Sequence, residues 1–225
     1  MRPSGRALLL ILLVCAACTA MGLVDAVIQP GYAAKSAVKL LLFLALPLLY
    51  AWFVPGTELL RLFCPQRRSL LPALLTGAAV FCLILGAYFL LRDHMDFSGL
   101  TRSLTASTGV DRASFPLVAL YISFVNSLLE EFFFRGFAFL TLAKCTSPRT
   151  ACCFSAGAFA LYHVAMMVGW FPLPVQILAV TGLLAGGLFF NRCAACSGGL
   201  LLPWLIHMCA NFAINTVGLL LFAAP

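Results

Sequence analysis

Two adjacent glutamates, Glu130 and Glu131, interrupt a long apolar run, and Arg135 follows four residues after the second. His163 closes the apolar string Phe159-Ala160-Leu161-Tyr162-His163, and His207 lies in the last such stretch, with Asn211 at i+4 and Asn215 one turn further. Carboxylates and imidazoles trade protons with water, and amides or imidazoles stabilise developing anions, so these side chains suit hydrolysis or proton relay. Neighbours on a helix point about 100° apart, so the two glutamates should have different jobs. Glu131 stands N-terminal to Arg135 at i,i+4, the better orientation for an intrahelical ion pair. That pair neutralises Glu131 and leaves Glu130 free as a candidate general base. A competing reading places both glutamates at a membrane–water boundary, where they solvate a helix end.

The elements that must position these residues are apolar. The chain has 225 residues, of which 63% are hydrophobic and 9% charged, and its mean hydropathy is +1.06. A soluble domain carries about 25% charged residues, so a water-soluble core is excluded. Seven segments are long and apolar enough to cross a bilayer, which takes roughly 20 helical residues: about 7–27, 37–54, 70–91, 113–143, 150–170, 173–190 and 199–222. The fourth is long for one crossing and reads as a tilted helix or two pieces, which leaves room for an eighth. The expected fold is therefore all-α, a polytopic transmembrane bundle of seven to eight helices, because in lipid the backbone must satisfy its own hydrogen bonds. Residues 1–112 form N-terminal helices with a polar loop at 92–112, and 113–225 carry the chemistry. A charge near the bilayer centre costs about 2.5–3.5 kcal/mol even on the lenient scale, so Glu130, Glu131, Arg135, His163 and His207 should converge on a wet cavity.

The net charge of +7 is spread over short loops, which argues against nucleic acid and for topogenic charge bias. With a cytoplasmic N-terminus, Arg2, Arg6, Arg61, Arg67, Arg68, Lys144, Arg149 and Arg192 fall inside. Lys35, Lys39, Arg92, Arg102 and Arg112 fall outside, diluted by Asp93, Asp96 and Asp111. Arg2 and Arg6 before an apolar run resemble a signal peptide, although further spans favour an uncleaved first helix. Of the ten cysteines, Cys15/Cys18 and Cys193/Cys196 have CxxC spacing. The second pair reads as part of a polar turn beside Arg192, but without another pair a metal framework is not the expectation.

Three chemistries fit the buried set. Glu130 and His163 can deprotonate a water while His207 and Asn211 stabilise an oxyanion, as in an intramembrane protease. His163, His207 and Glu130 can form a two-histidine, one-carboxylate zinc site. The same groups can serve an ion- or proton-coupled transporter.

The motifs resemble those of the CPBP group of intramembrane endopeptidases, the CAAX protease and bacteriocin-processing enzymes related to the Ras-converting CAAX endopeptidase. Glu130-Glu131 with Arg135 looks like that family's EExxxR, Phe159 with His163 like its FxxxH, and His207 with Asn211 like its HxxxN, over about 115–222. The resemblance implies a bundle of about eight helices around an intramembrane cavity. It makes Glu130 the water-activating base, His163 its partner, and His207 and Asn211 the oxyanion hole, with Glu131 and Arg135 in support. It further implies a metal-free mechanism, with no cofactor, rather than a zinc one. The partners it implies are the lipid bilayer and a protein or peptide substrate, either CAAX-type or a precursor or sorting tail; oligomeric state is left open. Some relatives are non-proteolytic immunity or scaffold proteins.

Overall fold

The computed structural model describes residues 3–64, 70–94, 113–167 and 170–223, and the expected polar loop at 92–112 lies almost wholly outside them, as do Arg2, Arg67 and Arg68. Within the described residues the chain is all helical, with seven helices. We number them α1 (Pro3–Ile28), α2 (Tyr32–Phe53), α3 (Leu70–Leu91), α4 (Phe115–Lys144), α5 (Pro148–Met166), α6 (Leu173–Ser197) and α7 (Leu201–Ala223). Six, all but α5, are long and apolar enough to cross a membrane by length and composition. The protein is an integral membrane protein with a helical bundle fold, and beyond the seven the described residues hold only a short 3-10 helix at Leu59–Phe63, with no eighth helix of membrane-spanning length.

Several boundaries differ from those expected. α4 is one continuous helix, not two, and relieves its length with π-helical turns at Ile122–Asn126 and Glu131–Thr141. α5 stops at Met166, because the chain after it runs toward Pro172 and Pro174. α6 continues through Arg192, Cys193 and Cys196 to a left-handed Gly198 cap, so this CxxC pair lies in helix rather than in a turn. α2 begins five residues before its expected start, at Tyr32, so Lys35 belongs to the helix together with Lys39, which the expected span already held. All ten cysteines are free.

Local chemistry explains the helix ends. Ser147 caps α5 by accepting a hydrogen bond from the Thr150 amide at 3.1 Å, and Pro148 occupies the first turn, where no amide donor is needed. Gln29, in the left-handed region at φ 46°, closes α1 and lets the chain turn back into α2.

One apolar core joins α1, α2, α4, α5 and α6. Leu10, Val14 and Met21 of α1 meet Phe43 and Tyr50 of α2, and Phe132, Phe133, Phe134 and Phe137 of α4. Phe43 stacks on Phe133 with ring centroids 4.1 Å apart, fixing α2 against the middle of α4. α3 keeps most of its surface outward and packs on α7, where Gly77 faces Cys209.

Membrane helices approach closely through small residues. A methyl group on Gly187 of α6 would stand 3.0 Å from the Ala156 Cα and 3.2 Å from its Cβ on α5, whereas nothing lies within 4 Å of one on Gly182. Gly187→Ala should therefore destabilise the bundle by about 1–3 kcal/mol, as overpacking does, and lower its unfolding temperature in detergent. Gly182→Ala, on the same helix, should leave that temperature unchanged.

Candidate active site

Glu130 and Glu131 lie in the middle of α4, and both are buried. The Glu130 carboxylate is not free. Its Oε1 accepts a hydrogen bond from Lys39 Nζ at 2.6 Å and another from Asn126 Nδ2 at 3.1 Å, and the same ammonium donates to Asn126 Oδ1 at 2.5 Å. Lys39 is 5% exposed. Its Nζ lies 5.4 Å from the Phe43 ring centroid and 5.1 Å from that of Tyr162, so its remaining surroundings are aromatic faces. This corrects the expectation that Lys39 is a topogenic charge on the outer side and Glu130 an unpaired acid. A carboxylate without a counter-charge in this environment is expensive, and a cation from the neighbouring helix offsets that expense.

The second carboxylate oxygen faces the histidines. Glu130 Oε2 lies 3.7 Å from His163 Nε2 and 3.7 Å from His207 Nε2, beyond direct hydrogen-bond length. Each ring is oriented through its other nitrogen. His163 Nδ1 lies 2.7 Å from the Phe159 carbonyl, which can only accept, so Nδ1 carries a proton and Nε2 is the nitrogen turned toward Glu130. His207 Nδ1 lies 2.7 Å from Glu131 Oε1 and by the same reasoning donates to that carboxylate. His207 also stacks on Phe190 at 5.3 Å between centroids, which fixes its ring plane.

Glu131 and Arg135 form the expected ion pair, with Nε 3.3 Å from Oε2 and both side chains fully buried. The contact lacks hydrogen-bond geometry, and the guanidinium nitrogens have no hydrogen-bond partner among the described residues. The guanidinium lies instead 4.2 Å from the Phe159 ring centroid and 4.9 Å from that of Phe190. The two glutamates do face different partners, yet His207 touches both, with Nδ1 on Glu131 and Nε2 toward Glu130. Their environments are divided by one imidazole, not isolated from one another.

α7 presents a polar stripe to α4, whose π-helical turn at Ile122–Asn126 leaves carbonyls for outside donors. Trp204 Nε1 donates to the Phe124 carbonyl at 3.1 Å, Asn211 Nδ2 to that of Ile122 at 3.2 Å, and Asn215 Nδ2 to that of Ala119 at 3.1 Å. Asn211 thus lies on the His207 face of α7 with one amide hydrogen engaged by α4, and an amide carries two.

The donor atoms of Glu130, His163 and His207 are of types zinc accepts. Among the described residues no group of three or more His, Cys, Asp or Glu side chains is disposed to hold a metal ion, and the Lys39 ammonium already sits on the carboxylate that would be the anionic ligand.

Sequence reasoning missed Lys39 and Asn126. Asn126 stands at i−4 from Glu130, so helical spacing alone could have flagged it. Lys39 carried a weaker signal, a lysine inside an apolar stretch with Lys35 one turn before it and Phe43 one turn after.

Residues 112–213 match the family described as type II CAAX prenyl endopeptidase Rce1-like, a segment that contains Glu130, Glu131, Arg135, His163, His207 and Asn211. No curated protein and no solved structure matches the chain. Through this segment, somewhat under half of the chain, with its EExxxR, FxxxH and HxxxN motifs, the chain is similar to the CAAX prenyl endopeptidase family.

Proposed function

We propose that the protein is a glutamate-type intramembrane endopeptidase that cleaves near the C-terminal tail of a membrane-anchored protein or peptide, with CAAX-type tails as its first candidate substrates. The observation that carries this reading is the meeting of Glu130 Oε2 with His163 Nε2 and His207 Nε2, each at 3.7 Å, in a buried site within the family segment. A water between Glu130 and His163 can donate one hydrogen to Oε2 and the other to Nε2, leaving its lone pair for attack. Glu130 takes the water proton as the new C–O bond forms, and the carbonyl electrons move to oxygen. The tetrahedral intermediate collapses with C–N cleavage, and Glu130 returns the proton to the leaving amine.

His207 and Asn211 are the candidate oxyanion donors, and the geometry sets a condition on the histidine. Because Nδ1 already gives its hydrogen to Glu131, Nε2 can donate only from the imidazolium form. Glu131 supplies the counter-charge for that form, while Arg135 holds Glu131 in place. A preorganised donor of this kind contributes about 3–4 kcal/mol to transition-state stabilisation. The Lys39 contact supports the metal-free variant over the zinc one. We read all seven helices as crossing, with the N-terminus cytoplasmic, which puts Arg6, Lys144, Arg149 and Arg192 on the inner side. Residues 113–225 then act as the catalytic part and 1–112 as its N-terminal support.

A quenched fluorescent peptide bearing a prenylated cysteine and three further residues, offered to the purified full chain in detergent, tests the reading. Glu130→Gln, His163→Ala and His207→Ala should each reduce cleavage by about 100-fold or more in chain that remains folded, Glu130→Gln with a lowered unfolding temperature because it strands the Lys39 ammonium. A fully active Glu130→Gln sinks the mechanism, and ion-coupled flux in proteoliposomes without any peptide product would favour a transporter. Treatment with a chelator should leave cleavage intact; loss of activity that zinc restores would return the metal variant to first place. Arg135→Met should lower stability by about 3–5 kcal/mol, the usual result of stranding one partner of a buried ion pair, seen as a fall in unfolding temperature that Arg135→Met/Glu131→Gln partly reverses.

A further inference from the structure

Lys39 lies outside the matched segment 112–213, on a helix that carries none of the catalytic motifs. Even so, it makes the shortest polar contact to Glu130 among the described residues, and it reaches across 91 residues of sequence to do so. We propose that Lys39 is a positioning residue for the hydrolysis proposed above: with Asn126 it holds one oxygen of the Glu130 carboxylate, so that the other is presented to the attacking water. The role rests on that reading of the reaction and adds to it a contribution from the N-terminal helices.

The geometry carries the argument. Oε1 receives two hydrogen bonds, from Lys39 at 2.6 Å and Asn126 at 3.1 Å, and Lys39 bridges to Asn126 Oδ1 at 2.5 Å, so the three groups form a closed triangle. Oε2 has none of these tethers and is the oxygen that faces both histidines. The triangle therefore makes the two carboxylate oxygens inequivalent. Without the ammonium, the carboxyl group can rotate toward His207, whose Nε2 donates in the imidazolium form, closing the space that the water needs.

Lys39 is itself held from several sides. Phe43, one turn further along α2, stacks on Phe133 of α4 at 4.1 Å. Lys35, one turn before, is ion-paired with Asp25 at the end of α1, whose side chain is 1% exposed. The rings of Phe43 and Tyr162 flank the ammonium. α2 is thus fixed on both sides of the lysine, and a cation on such a frame has little room to move.

The same prenylated fluorogenic peptide and the full chain in detergent provide the test, with kcat and KM measured separately beside the unfolding temperature. Lys39→Met should lower kcat about 100-fold, the scale expected when a reacting group is misplaced by about 1 Å, with KM within about twofold. Lys39→Arg should recover at least about tenfold of that loss, since it restores the charge and donor with altered geometry. Asn126→Leu, which leaves the lysine in place, should lower kcat about tenfold, and it decides the matter should Lys39→Met fail to fold. A folded Lys39→Met with wild-type kcat, beside an inactive Glu130→Gln, overturns the positioning role alone. A loss seen entirely in KM also overturns it, because the lysine would then be holding substrate. Full activity in Glu130→Gln removes the glutamate mechanism and this role with it.

Discussion

Every part of the site answers to one constraint, that a charge removed from water must find its opposite nearby. Four formally charged side chains lie buried within a few ångströms of one another, Lys39 with Glu130 and Arg135 with Glu131. Each pair is neutral, and the two meet at His207. Such pairs rarely add stability over an apolar core, and breaking one strands its partner. Their retention in a chain that is 63% hydrophobic therefore points to chemistry and not to folding. The aromatic shell of Phe43, Phe134, Phe159, Tyr162 and Phe190 serves the same constraint, because ring faces accept a cation where hydrogen-bond partners are missing.

The helices divide the task. α4 supplies both carboxylates, while α2 restrains one and the intrahelical arginine the other. α5 offers His163 already fixed in tautomer by its own backbone, so that ring needs no partner from elsewhere. α7 brings His207 and ties itself to α4 through three side-chain donors, which fixes the height at which the imidazole meets Glu131. The N-terminal helices are accordingly part of the site as well as of the core.

Much of this was legible in the sequence, for reasons that differ by residue. The helical class followed from hydropathy, and the Glu131–Arg135 pair from spacing alone, since both partners lie on one helix. The convergence of His163 and His207 on Glu130 followed from the expense of isolated polar groups in lipid. Lys39 was not legible, because charge counting treats every lysine near a helix end as topogenic, and only tertiary packing shows which way this one points. The extent of α6 was misjudged because Arg192 and two cysteines resemble a turn, yet a helix end can carry them toward the membrane surface. The π-helical turns left no signal in a periodicity that assumes 3.6 residues per turn.

Those turns have a consequence for how the chain can vary. A π-helical turn holds one residue more than the α-helical turn it replaces, and the turn at Ile122–Asn126 stands immediately before the two glutamates. Loss of a single residue there would return the turn to α-helical geometry and leave everything that follows in phase with the start of α4. Glu130 would stay on Lys39 and Glu131 on His207. What would change is the seat of α7, because the Ile122 and Phe124 carbonyls that now accept from Asn211 and Trp204 would lie in a regular helical turn. The extra residue therefore acts as a docking notch: two sequences can carry identical EExxxR, FxxxH and HxxxN signatures and differ in how firmly the last helix is held against the fourth.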